Sequence, residues 1–192
     1  MISGLLGYGI QLPDYDRWGI KDFGSARALS DDISRVMNWS RPPSLDLYRE
    51  YKEVYDNTDY FDQLTGQIKY PGEHGDSNTN GFTDGKSHDI ILMPGTLIDR
   101  YGSGPRGRYF SPAGSSFESR ALPPYLKNES PTTYWVLKPF MVKSGEIAPW
   151  FGQPGGGIQY FTGYEIWDDE FNEWVEANVE SLMGNGYIDE AR

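Results

Sequence analysis

The chain of 192 residues contains no cysteine. That removes disulfides, thiol nucleophiles and thiolate-held metals together. Histidine is nearly as scarce: His74 and His88 are the only two, without HExxH or HxH spacing, and no EF-hand pattern occurs, so no metal site is expected. Long apolar runs are missing too. None approaches the ~20 residues of a membrane-spanning helix, and Met1–Gln11 has neither a basic start nor a sustained apolar stretch, so neither membrane insertion nor a signal peptide is predicted. Positive charge is in deficit, with a formal net of −11. Such a surface repels phosphate backbones and anionic lipid, which excludes nucleic acid as the main partner.

What the chain has is aromatic surface: 14 Tyr, 9 Phe and 6 Trp, enough for a folded core and too much for a disordered segment. Twenty-three glycines and 13 prolines forecast many turns between short elements. The length suits one domain of ordinary size with a structured extension.

Apolar spacing predicts a helix over Ser25–Trp39 and a second over Ser44–Asn57, with Ser44 as N-cap and Pro42-Pro43 between them. Residues 1–66 therefore read as a small helical segment. From Tyr70 the pattern changes to short apolar runs cut by Gly, Pro and Asn. Strands are predicted at Ile90–Met93, Leu97–Tyr101, Arg108–Ser111, Tyr134–Phe140 and Gly157–Phe161, with a weaker signal at Val142–Ile147. Phe171, Trp174, Val175, Val179, Leu182 and Met183 read as a C-terminal helix stopped by Gly184, with Tyr187-Ile188 as a final edge strand. The expected fold is α+β: a compact β-rich domain over 67–192 with short strands and a C-terminal helix, preceded by the helical extension 1–66.

Charge is unevenly spread. Ile98 to Lys143 holds seven basic residues against three acidic ones, inside an otherwise acidic chain. Guanidinium groups in such a stretch either bind a small anion bidentately or pair with the acidic elements around them. Arg100 closes a strand-like run and precedes an aromatic, so it could clamp a pyrophosphate while Tyr101, Tyr109 or Phe110 stacks on a ring. Tyr109 and Phe110 are neighbours on a strand and face opposite ways, so one of them belongs to the core. Gly155–Gly157 either bring main-chain N–H groups up to a ligand or make a tight turn. The flanking amides of Gln153 and Gln159 can donate to and accept from a heterocycle or a sugar hydroxyl.

The order IDRYG, GRYFSP, SFESRALPP, YWVLKP, APWFGQPGGGIQY and ESLMGNGYI resembles the TNT domain, named for the tuberculosis necrotizing toxin, over roughly Tyr70–Ile188. The resemblance implies hydrolysis of the nicotinamide–ribose bond of NAD+ or NADP+, the dinucleotide being substrate and no cofactor being needed. It implies Arg100 and Gln153 as catalytic residues, with Tyr101, Phe110, Ser111, Arg120 and Gln159 binding substrate. Some family members place a functional histidine near the strand matching Pro131–Val136, and Thr132-Thr133-Tyr134-Trp135 supplies none. The family's role further implies a toxin that is secreted or delivered into a target cell and held in check by a cognate immunity protein. An ADP-ribosyltransferase toxin, or an inactive nucleotide- or protein-binding module of the same fold, is the alternative.

Overall fold

A computed structural model describes residues 23–191. Three helices come first: α1 (Phe23–Met37), α2 (Leu45–Glu50) and α3 (Lys52–Tyr55). The second predicted helix is thus broken at Tyr51, whose φ of −118° leaves the helical region. Ser44 caps α2 as its sequence position suggested, accepting from the Leu47 N–H.

The strands follow: β1 (His88–Leu92), β2 (Leu97–Arg100), β3 (Tyr109–Pro112), β4 (Thr132–Val136), β5 (Phe140–Glu146), β6 (Ile158–Phe161), β7 (Glu165–Asp168) and β8 (Glu173–Glu176). Helix α4 (Val179–Gly184) and β9 (Ile188–Glu190) close the chain. Seven strands form one curled antiparallel sheet in the order β1-β5-β6-β3-β2-β4-β9, and β7 pairs with β8 as a separate ribbon. The weakest strand signal, Val142–Ile147, falls on the longest strand, β5, except for Ile147, which forms a separate bridge with Phe82. The predicted run Tyr134–Phe140 is two strands, because Leu137 and Lys138 turn to donate to the Tyr187 carbonyl and Pro139 has no N–H to continue a ladder.

The C-terminal helix is shorter than its apolar spacing predicts. Phe171, Trp174 and Val175 belong to the β7–β8 hairpin, which turns at Asn172 with φ +53°. Ile166 and Val175 sit opposite one another on the inner face, while Trp167 and Trp174 pair on the outer one, an alternation that a helical count over so few residues imitates. α4 starts only at Val179, behind a capping box made by Asn178 and Ser181.

Two apolar clusters organise the molecule. One lies inside the sheet's curl, where Ile98, Phe110, Tyr134, Val136, Val142, Leu182 and Ile188 are buried together. The other joins the helices to the sheet: Val36, Trp39, Tyr48, Tyr55 and Phe61 close around Phe151, which arrives from the β5–β6 connection and is 1% exposed.

Candidate active site

A cavity of about 760 Å³ opens between the β2, β3 and β6 strand ends and the loops that follow α3 and β2. This is within the ~300–1,000 Å³ usual for small-molecule sites. Six of the seven residues singled out from sequence line it: Arg100, Tyr101, Phe110, Ser111, Arg120 and Gln159. Gln153 is not among the lining residues. Its N–H and C=O pair with those of Trp150 in a tight turn outside the cavity. Neither His74 nor His88 lines the cavity.

Arg100 leaves the end of β2, and the loop after it wraps its guanidinium. Nη1 donates to the Gly102 carbonyl at 2.6 Å and to the Gly104 carbonyl at 3.1 Å. Gly107 lets the group lie flat on the chain: a Cβ there would stand 2.1 Å from Nη2. Burial pushes the Arg100 guanidinium below its ordinary pKa, with Tyr134 acting in the opposite sense. No carboxylate pairs with Arg100 among the described residues, and its buried Nε has no hydrogen-bond partner there. A guanidinium that lines the cavity and pairs with no carboxylate among the described residues is suited to an oxyanion.

Arg120 is different. Its Nη2 meets Asp99 Oδ1 at 2.5 Å, with side chains 4% and 2% exposed. Nε and Nη2 also donate to the Ser115 carbonyl, the Gly114 N–H donates to Asp99 Oδ2, and the Tyr101 ring lies under the guanidinium at 5.2 Å. The charge is therefore paired within the protein, although the residue still lines the cavity. Arg120 stiffens the wall and presents Tyr101, whose ring meets Phe117 edge-on.

Phe110 is the core member of its pair, 2% exposed and edge-on to Tyr134, while Tyr109 is exposed, stacks on Phe161 and also lines the cavity. Ser111 is buried on β3 opposite Asp99. Gln159, on β6, is half-buried, and its Nε2 donates to the Asn80 carbonyl at 2.8 Å.

The glycine run is a turn and not a ligand cradle. The Gly155, Gly156 and Gly157 N–H groups donate to the carbonyls of Glu118, Ile147 and Ser119. They stitch the short turn carrying Arg120 to the β5–β6 hairpin.

Sequence reasoning missed the wall built before residue 90. Arg41, Tyr70, Glu73, Asn80 and Gly81 all line the cavity, as does Phe151. Asn80-Gly81 is a recognisable turn dipeptide, but nothing in its pattern tells that the turn closes a site. Among the described residues no group of three or more His, Asp or Glu is placed to hold a metal, and no helix is long and apolar enough to cross a membrane.

A curled antiparallel sheet carrying an arginine, an amide and several aromatics around one cleft defines the class, and the chain belongs to the family described as Tuberculosis necrotizing toxin, whose profile matches residues 91–191. It is similar to the conidial surface nicotinamide adenine dinucleotide glycohydrolase of Aspergillus fumigatus, 34% identical over 121 residues, covering 57% of this chain and 46% of that protein. The chain thus spans about half the length of that curated relative. Among solved structures, tuberculosis necrotizing toxin complexed with its immunity factor superposes with a TM-score of 0.46 at 26% identity, over 66% of this chain and 63% of the toxin chain. Tse6 in complex with Tsi6 gives a TM-score of 0.35 at 17% identity, over 68% of this chain and 97% of that one.

Proposed function

We propose that this chain is an NAD(P)+ glycohydrolase that uses water to cleave the nicotinamide–ribose bond, giving nicotinamide, ADP-ribose (or its 2′-phosphate) and a proton. The observation that carries the reading is Arg100: a guanidinium in a cavity of about 760 Å³, free of any carboxylate among the described residues and held by the neutral Gly102 and Gly104 carbonyls with the Tyr134 hydroxyl near by. The diphosphate of a dinucleotide can displace those carbonyls with a stronger, charge-assisted contact. Family membership and the name of the Aspergillus relative support the same substrate.

Nicotinamide departs as a neutral molecule from a cationic ring, so the leaving group needs no general acid, and the transition state has oxocarbenium character. Orientation then carries most of the demand. Arg100 holds the phosphates. Tyr101 and the exposed Tyr109 offer ring surface to the base and the nicotinamide, and the buried Phe110 backs the wall behind them. The carboxamide role falls to Gln159, which lines the cavity, and not to Gln153. A polar acceptor there orients the ribose hydroxyls or the attacking water, and no histidine is required by this route.

A cognate immunity protein and export to a target cell are further parts of the proposal, since an enzyme of this kind would consume its producer's own dinucleotide pool. The division into a helical extension (1–66) and a glycohydrolase domain (67–192) is kept as a proposal as well, with the qualification that the earlier segment supplies Arg41 to the cavity.

The test is direct. Purified protein incubated with NAD+ and with etheno-NAD+ is expected to release free nicotinamide and soluble ADP-ribose with a rise in etheno fluorescence. Intact dinucleotide after prolonged incubation, or ADP-ribose attached to protein, would refute it.

A further inference from the structure

The turn at Asn80-Gly81 lies outside the segment matched by the family profile, yet it touches the amide on which the proposed chemistry depends. Both residues take the left-handed backbone, with φ of +57° and +82°. That conformation turns the Asn80 carbonyl onto Gln159 Nε2 at 2.8 Å. A Cβ on Gly81 would stand 3.4 Å from Oε1 and 3.5 Å from Nε2, an ordinary contact, so what a side chain there would upset is the left-handed backbone that aims the adjoining Asn80 carbonyl.

The turn has anchors of its own besides the Gln159 amide, set against Gly145, the residue paired with Gln159 across the β5–β6 ladder. Phe82 is 1% exposed, forms a bridge with Ile147, and packs over Gly145, where any Cβ would lie 2.7 Å from its ring. The Gly81 carbonyl accepts from the Ala148 N–H at 2.9 Å, and the Gly81 N–H donates to Asn78 at 2.8 Å. Asn78 in turn accepts from the Asp84 N–H through its side chain. The carbonyl that meets Gln159 is thus a fixed point.

A main-chain carbonyl can only accept. Against it, Gln159 must present its NH2, which settles the flip of the amide: one Nε2 hydrogen is taken by the carbonyl, and Oε1, the side chain's acceptor, is fixed on the other side of the group beside the second N–H. We propose that Asn80-Gly81 is a positioning element for Gln159, locking its carboxamide so that it works as a hydrogen-bond acceptor in the cavity. The proposal rests on the glycohydrolase reading for the consequence in turnover, but the lock itself does not. Asn80 acts through its backbone, so Gly81 and Gln159 are the residues to vary.

Nitrogen-15 spectra of the full chain examine the lock without reference to catalysis. The Gln159 side-chain amide, assigned by its disappearance in Gln159→Ala, should exchange with solvent on the order of tenfold more slowly than that of exposed Gln67, and Gly81→Ala should abolish the difference. In steady-state hydrolysis of NAD+, Gly81→Ala should lower kcat by roughly 10- to 100-fold, with KM changed by no more than about twofold, because the amide is misplaced and the phosphate grip is not. Gly75→Ala is the matched control: its φ of +88° imposes similar backbone strain in the same loop, its Cβ meets nothing within 4 Å, and its kcat should stay at the wild-type value.

Combining Gly81→Ala with Gln159→Ala should be no slower than Gln159→Ala alone, since a positioning residue loses its effect once its target is gone. Should Gly81→Ala fail to fold, Gln159→Glu replaces it. That side chain keeps the shape but, ionised, cannot donate to the Asn80 carbonyl, so it too should lose turnover. Wild-type rates in Gln159→Glu, additive losses in the double variant, or fast exchange of the wild-type amide would each overturn the proposal. Slow exchange that Gly81→Ala removes, in a protein that leaves NAD+ intact, would uphold the lock and refute the glycohydrolase reading.

Discussion

An arginine that is to receive a phosphate has to keep its charge, stay within reach of the cavity and not be satisfied beforehand by a carboxylate. The contrast between Arg100 and Arg120 is of this kind. Arg120 is buried against Asp99 and makes three further interactions, so moving it toward a ligand would strand a carboxylate in the core. Arg100 is held by two neutral carbonyls and can exchange them. What keeps it there is the missing side chain at Gly107. Gly107→Ala puts a methyl group 2.1 Å from Nη2, which the flexible guanidinium can avoid only by leaving its seat. The expected result is an increase of about tenfold in KM for NAD+ with a smaller change in kcat, and little further loss when Arg100→Ala is added to it. Steady-state kinetics on the two single variants and the double variant check this, and a normal KM in Gly107→Ala would mean that the seat is irrelevant to substrate capture.

At the level of elements, the sequence was readable wherever a signal was local. The cap at Ser44, strands β2, β3 and β6, and the edge position of β9 follow from turn residues and short apolar runs. Two elements misled. Phe171, Val175, Val179 and Leu182 are spaced as on one helix face, but the Asn172 turn between the first two and the cross-strand pairing of Trp167 with Trp174 are tertiary outcomes that spacing does not encode. In the same way, six of seven candidate site residues could be found because they sit on matched motifs, whereas Asn80, Gly81 and Tyr70 enter through a loop whose destination depends on Phe82 finding its place beneath β5. The glycine run was ambiguous in sequence between a cradle and a turn, and the turn has a measurable consequence. Gly155 has φ +65°, and a Cβ there would lie 2.5 Å from the Ile147 carbonyl, while Gly156, at φ +79°, faces open space. Gly155→Ala should therefore cost clearly more than the ~1 kcal/mol expected of a positive-φ glycine alone, and Gly156→Ala about that amount. Urea unfolding of the two variants compares them, and equal losses would show that the contact with Ile147 yields easily.

On the scale of the whole molecule, the helices before residue 66 are built into the site's support. Phe151 lines the cavity and at the same time completes the aromatic cluster of Trp39, Tyr55 and Phe61, in a left-handed conformation (φ +50°) that a phenylalanine keeps only under tight packing. That cluster is tied together by one carboxylate. Asp56 on the C-terminal side of α3 accepts from Arg35 Nη2 on α1 at 2.5 Å, from the Tyr48 hydroxyl on α2 at 2.8 Å, and from Lys52. Burial works to raise the Asp56 pKa, but hydrogen bonds from Lys52, Tyr48 and Arg35 outweigh it and hold the group below the ordinary carboxylate value. Burial first, and then the hydrogen bond to Asp56 and its charge, push the Tyr48 hydroxyl up to about 12, against the opposing charge of Lys52. A carboxylate depressed in the folded state binds fewer protons there than in the unfolded chain, so its contribution is complete above the unfolded pKa of roughly 3.9 and is lost as pH falls from there through the folded value. Asp62, Asp76, Asp89 and Asp168 are shifted the same way, which makes the difference between two proteins the informative quantity. Asp56→Asn should be less stable than wild type at neutral pH and should converge on it in acid, because the variant no longer has the proton-linked contact to lose. Urea midpoints measured for both from pH 7 down to about pH 3 give the comparison, with ADP-ribose affinity followed in parallel as a report on Phe151. A constant gap at every pH would mean that Asp56 holds the helices by shape alone, and unchanged affinity in a variant with a loosened cluster would detach the cavity from the helices packed behind it.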